Sequence, residues 1–177
     1  MPAPTVAVWD RLVRLLHWSL LLSLIVCWLG SFALPGVHQP AGYLALALVA
    51  VRLWWGVVGS RHARFSDFVR GPRATWAYAQ SVLRRREPHH LGHNPLGAWM
   101  IVALLGCVLA LSLTGWLYTT DRFWGDAQVE ALHLALAWAL LGLALLHVAG
   151  VFYTSRRQGE SLLRAMVSGR KRAGPPA

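Results

Sequence analysis

Apolar residues fill four long stretches of the chain, and charged residues gather between them. The stretches run over about 12–34, 41–58, 96–118 and 129–153. Each is near the roughly 20 residues that a helix needs to cross a bilayer. The pattern predicts an all-α membrane protein: a four-transmembrane-helix bundle, forming a single transmembrane domain over 1–177. The first stretch follows Arg11 and Arg14 and ends near Ser31-Phe32-Ala33, as a secretory leader would. Its apolar run exceeds the roughly 7 to 15 residues of a leader's core, and it carries His17 and Trp18, so it is expected to stay as a helix.

The connections are unequal. Pro35-Gly36-Val37-His38 is expected to be a tight turn. Segment 59–95 is long and basic, with Arg61, Arg64, Arg70, Arg73, Arg84, Arg85 and Arg86. Segment 119–128 carries Asp121, Arg122 and Asp126, and the tail adds Arg156, Arg157, Arg164, Arg170, Lys171 and Arg172. Of 17 Lys and Arg, only Arg122 falls between helices 1 and 2 or 3 and 4. Positive residues beside membrane spans stay in the cytoplasm, so both termini and the long segment are expected there, in a bacterial inner membrane. Four crossings return the chain to its starting side. Within the long segment, 72–83 reads as a short interfacial helix. Pro72 suits its first turn, and Trp76, Ala79 and Leu83 share a face. Segment 161–167 reads the same way.

Composition agrees. Only 14% of residues are charged, 56% are hydrophobic and ten are Trp, which suits interfacial aromatic anchoring. A net charge of +10 could serve nucleic acid, but its placement beside the spans assigns it to lipid headgroups and excludes nucleic acid as a partner. Cys27 and Cys107 lie inside apolar stretches and read as small core residues. No C-x-x-C-H motif occurs, so covalent c-type haem attachment is excluded.

Histidine is costly in such stretches unless it has a partner. His17 lies in the first stretch, His38 opens the second, and His133 and His147 lie in the fourth. Fourteen residues advance a helix by about 1400°, some 40° short of four turns, so His133 and His147 face one side about 21 Å apart. They are too distant to share one metal ion. By depth, His17 matches His147 near the cytoplasm, and His38 matches His133 on the outer side. A depth-matched pair of imidazoles is what a b-type haem needs, one on each face of its iron. Two such pairs predict two haems and an electron path across the membrane. A lone histidine hydrogen-bonded between helices is the plainer alternative for any one of the four. His62, His89 and His90 fall in a polar segment and are expected to be solvated, and His93 sits at the membrane boundary. Arg14 and Arg52 lie in apolar stretches near the cytoplasmic side. They either snorkel to the headgroups or neutralise propionates of the inner haem.

These residues resemble the bacterial cytochrome b561 and nickel-iron hydrogenase b-type cytochrome family. The likeness runs through Trp9-Asp10, Arg14-Leu15-Leu16-His17-Trp18, His38 and Gly42-Tyr43. It continues in Arg52-Leu53-Trp54-Trp55-Gly56, Gly59-Ser60-Arg61-His62-Ala63-Arg64-Phe65, Gly92-His93-Asn94-Pro95-Leu96-Gly97, and the pair His133 and His147. The resemblance implies a bundle with two haem b groups, His17, His38, His133 and His147 as axial ligands, and exchange with quinone. The chain looks more like the short members that serve c-type cytochromes or other redox partners than like the longer hydrogenase subunits.

The function expected is therefore electron transfer across the membrane between the quinone pool and a redox partner, a c-type cytochrome first among them. A superoxide:quinone oxidoreductase and a cytochrome b subunit of a hydrogenase-like complex are the alternatives. Asp121, Asp126 and Glu130 against Arg122 alone weigh against capture of an anion on the outer side. A non-redox anchor would tolerate loss of all four histidines. Membrane lipid is the surrounding partner, and a homodimer is compatible with the sequence.

Overall fold

The computed structural model describes residues 5–34 and 36–174. In chain order the elements are β1 (Thr5–Ala7), α1 (Arg11–Phe32), α2 (His38–Val58), a 3-10 turn (Arg61–Ala63), α3 (Phe65–Phe68), α4 (Pro72–Leu83), α5 (Pro95–Tyr118), α6 (Ala127–Gln158), α7 (Leu162–Ser168) and β2 (Arg170–Arg172). The helices α1, α2, α5 and α6 are each long and apolar enough to cross a membrane.

Capping chemistry explains where they begin. Asp10 Oδ1 accepts the Val13 N–H at 2.8 Å and opens α1. Asn94 Oδ1 accepts the Gly97 N–H at 2.8 Å, and Pro95 takes the first helical position, where its missing N–H costs nothing. Asp126 Oδ1 accepts from Gln128 and Val129 at the start of α6. Ser161 caps α7, which stops at Gly169 in the left-handed region, φ 79°.

The boundaries differ from the expected ones in two useful places. α2 begins at His38, so this histidine sits in the helix's first turn rather than before it. α6 continues to Gln158, where Arg156 and Arg157 complement the carbonyl end of the helix dipole. Pro35 of the expected tight turn lies outside the described residues.

The apolar surface of these helices faces outward. In the most apolar stretch of α6 only 6% of residues are buried. Leu134, Trp138, Leu145 and Phe152 are all exposed. A water-soluble protein does not leave that much contiguous apolar area uncovered. Intrahelical bonding satisfies the backbone, as a lipid environment demands.

Two compact units make up the chain. One comprises 15–54 and 103–144, from α1, α2, α5 and α6. Its buried side chains include Ala45, Val49, Leu105, Val108 and Leu140. Trp28 of α1 and Trp138 of α6 meet edge to face with centroids 5.5 Å apart. The Cys107 thiol donates to the Leu136 carbonyl at 3.5 Å, tying α5 to α6. Both cysteines are half-buried and unoxidised, as small packing residues would be.

Among the described residues the other unit comprises 5–14, 55–102 and 145–174. Here the all-α expectation needs an addition. β1 and β2 pair antiparallel, Thr5 with Arg172, Val6 with Lys171 and Ala7 with Arg170. A three-residue ladder with an Arg-Lys-Arg strand gives no recognisable pattern in sequence. It joins the segment before α1 to the segment after α7. The α4 helix occupies the expected range, with Tyr78 buried and Trp76 and Leu83 exposed on the opposite face.

The expectation of solvated loop histidines is corrected in this unit. His62 lies 3.3 Å from Asp67, and His89 lies 3.9 Å from Glu160 with its side chain mostly covered. His90 packs on the Tyr78 ring at 5.3 Å. Burial, reinforced by Lys171, holds the His90 imidazole below its ordinary value and therefore neutral at pH 7. Apolar surface contributed by Tyr78 and by neighbouring backbone is what the polar composition of the segment conceals. His93 lies between Trp9 and Phe68, with centroids at 4.4 and 4.8 Å.

Candidate functional site

The first turn of α2 and the start of α6 bring His38 and His133 together, with ring centroids 6.1 Å apart and planes crossed at 72°. An iron held on both faces by imidazole sets the centroids about 6 Å apart. That figure follows from two metal–nitrogen bonds of about 2 Å and about 1 Å from each nitrogen to its ring centre. The observed spacing therefore suits one metal between two rings. It is too long for a hydrogen bond between the rings, and the rings meet edge to face rather than stacked.

The hydrogen bonds around each ring select which nitrogen is available. His38 Nδ1 lies 2.9 Å from the Cys27 carbonyl of α1 and 3.0 Å from Ser31 Oγ. A carbonyl only accepts, so His38 Nδ1 carries the hydrogen and Nε2 keeps its lone pair. His133 Nδ1 lies 3.1 Å from Thr114 Oγ1 of α5. The Thr114 hydroxyl already donates to the Leu111 carbonyl at 2.9 Å. It must then accept from His133, which again leaves Nε2 free to ligate. Outer partners of this kind fix tautomer and ring orientation in metal-ligating histidines.

Space is arranged around the same ring. A Cβ built on Gly115 would come within 3.0 Å of His133 Cε1, so glycine lets the imidazole lie against α5. Were this pair to hold a haem, Gly115→Leu would displace the ring and lower the haem content. Pyridine-haemochrome assay of the purified variant checks this, and an unchanged haem content would refute it.

His17 is half-buried on α1 beside Trp18, with centroids 5.0 Å apart in a T-shaped arrangement. His147 is half-buried on α6. Arg52 is buried in α2, at 7% exposure, within an otherwise apolar run. Arg14 donates through Nη1 to the Val167 carbonyl and packs against Gly169. Among the described residues no three His, Cys, Asp or Glu side chains form a set for a bare metal ion. Two imidazoles are the donor set with which haem is ligated on both faces.

Four residues at this site lie beyond those that spacing selects: Cys27, through its carbonyl, Ser31, Thr114 and Gly115. A usable signal existed for two of them, since Ser31 and Thr114 place hydroxyls inside apolar runs. Thr114 is a buried polar side chain inside a membrane-spanning run, where hydroxyls tend to be held for a purpose.

Comparison with known proteins gives a consistent picture. Residues 8–169 match the family model described as prokaryotic cytochrome b561. A "Probable Ni/Fe-hydrogenase B-type cytochrome subunit" of Bradyrhizobium diazoefficiens is 25% identical, over 95% of this chain and 86% of its own length. A protein of the same name from Azotobacter vinelandii is 26% identical, over 93% of this chain and 87% of its own. No solved structure matches the chain.

Proposed function

The chain belongs to the prokaryotic cytochrome b561 family, and from that premise we propose that it carries electrons across the bacterial inner membrane through two haem b groups, between quinone and a redox protein. It is a membrane-bound b-type cytochrome of electron transport with four membrane-spanning helices. Bound haem supplies the one-electron Fe(III)/Fe(II) couple. The residues supply ligation, orientation and exclusion of water. His38 and His133 would hold one haem, and sequence spacing assigns His17 and His147 to the other. The observation that carries this reading is the first pair: a 6.1 Å ring separation with both Nδ1 atoms hydrogen-bonded. The second pair rests on matched depth along α1 and α6.

Ligation by two histidines leaves no open iron position, which favours electron transfer over oxygen binding. Both chain ends and the basic segment face the cytoplasm, where 16 of the 17 Lys and Arg gather. The α4 helix lies in the cytoplasmic interface, with Trp76 and Leu83 toward the acyl region. Arg52, buried in α2, would supply the positive charge that neutralises a propionate of the inner haem. Arg14, whose guanidinium already serves the Val167 carbonyl, is the weaker candidate for that role.

On the outer side Asp121 and Glu130 are exposed, while Asp126 is occupied in capping α6. Exposed acids suit a basic soluble partner such as a c-type cytochrome and disfavour superoxide. The names of the relatives support a second reading, in which the chain is the cytochrome b subunit of a hydrogenase-like complex. Anaerobic addition of a short-chain quinol to the purified protein tests the quinone link. The expected result is growth of the reduced α-band within seconds. A haem-replete protein that quinol leaves oxidised would overturn it.

A further inference from the structure

We infer that Thr114 is a positioning residue that fixes His133 and sets the redox potential of the haem held between His38 and His133. The inference rests on that proposed haem site. Its basis is hydrogen-bond bookkeeping on named atoms. The Thr114 hydroxyl has one hydrogen, and its 2.9 Å contact with the Leu111 carbonyl uses it. The 3.1 Å contact with His133 Nδ1 therefore runs from the imidazole N–H to the hydroxyl oxygen. Thr114 is itself buried, at 8% exposure, so water does not substitute readily for it. Gly115, its neighbour on α5, leaves room for the ring beside it. One turn of α5 thus supplies both the hydrogen-bond acceptor and the space.

An acceptor on the Nδ1–H pushes electron density into the ring and makes Nε2 a stronger donor to iron. A stronger donor stabilises the ferric state and lowers the potential. Each ring has a hydroxyl and a carbonyl beside its Nδ1, Ser31 and Cys27 for His38, Thr114 and Leu111 for His133, and of the two hydroxyls Thr114 is the buried one. Threonine rather than valine at this apolar depth is therefore a specification of potential.

The test is an optical redox titration of the full-length, detergent-purified protein as wild type, Thr114→Val and Thr114→Ser. Valine matches threonine in shape and removes only the hydroxyl. In Thr114→Val the midpoint of one haem is expected to rise, by about tenfold at most in the reduction equilibrium, which is about 59 mV for one electron. The other midpoint is expected to stay, and Thr114→Ser is expected to titrate like wild type. Release of one haem from Thr114→Val with retention in Thr114→Ser also supports the assignment. Two unchanged midpoints in Thr114→Val would overturn it, as would equal disturbance in Thr114→Val and Thr114→Ser. A wild-type protein without reducible haem fails the proposed function instead, before any variant is compared.

Discussion

His133→Gln is expected to lose about half of the haem, and His38→Gln to lose the same half. The grouping matters more than the loss. If one iron lies between these two rings, either substitution removes the same component of the redox titration and spares the other. His17→Gln and His147→Gln are expected to remove the component that survives in the first pair. Glutamine keeps a polar side chain of similar reach, so gross unfolding is not the expected cause. The geometry behind the first grouping is the 6.1 Å separation of His38 and His133. Potentiometry with haem quantification reads the result directly. Loss of different components from His38→Gln and His133→Gln would break the pairing, and four tolerant variants would restore the plain reading of histidines that merely bridge helices.

Asp10→Ala is expected to be the most destabilising single change outside the haem sites. The Asp10 carboxylate does three things at once. One oxygen caps α1 through the Val13 N–H. The other accepts from Trp55 Nε1 at 3.0 Å and from the Ser60 hydroxyl. The start of α1 is thereby bound to the end of α2 and to the turn that follows it. A lost cap costs about 1 kcal/mol, and hydrogen bonds to a charged group contribute about 1.5–3 kcal/mol each. Partial exposure of the carboxylate reduces these figures, so about 3 kcal/mol in total is expected. Asp10→Asn keeps one acceptor oxygen and should cost less.

The pH dependence of this clamp has a definite sign. Burial raises the Asp10 carboxyl, but hydrogen bonds from Ser60, Val13 and Trp55 outweigh burial and hold it below its ordinary value. The fold therefore favours the ionised form. The stabilisation is present above the unfolded value of about 3.9 and is lost as pH falls through the folded value beneath it. Thermal melting in detergent should show a constant wild-type advantage over Asp10→Ala above about pH 5, shrinking below about pH 4. Equal melting temperatures at pH 7 would refute the clamp.

The membrane-crossing elements and the His38–His133 contact are legible in sequence for a simple reason. A span has to be apolar for its whole length, so its ends are marked by the first charges and caps. Asp10, Asn94 and Asp126 stand at three such ends. A histidine inside an apolar run is equally conspicuous. The Pro72–Leu83 helix is also legible, because Pro72 sets its start and Trp76 and Leu83 mark its exposed face.

What the sequence hides is held by groups without side-chain identity or by contacts far apart in the chain. The His38 partner is the Cys27 carbonyl, eleven residues away, and any residue at that position would present one. The β1–β2 ladder joins residues more than 160 apart through backbone hydrogen bonds. Its Arg-Lys-Arg strand reads only as a basic tail, although Lys171 is buried and donates to the His90 carbonyl at 2.8 Å. The cover over His62, His89 and His90 comes from the same long-range packing. In the sequence Thr114 is one hydroxyl among several in apolar spans, and only its place opposite His133 gives it a role.

The central claim is that this chain holds two haems, one of them between His38 and His133. The most direct measurement is a combined haem assay and redox titration of the wild-type protein, counting haem b per polypeptide and resolving its potentials. The account predicts two haems per chain titrating as two components, with His38→Gln and His133→Gln each abolishing the same one. One haem per chain, or none, would contradict it.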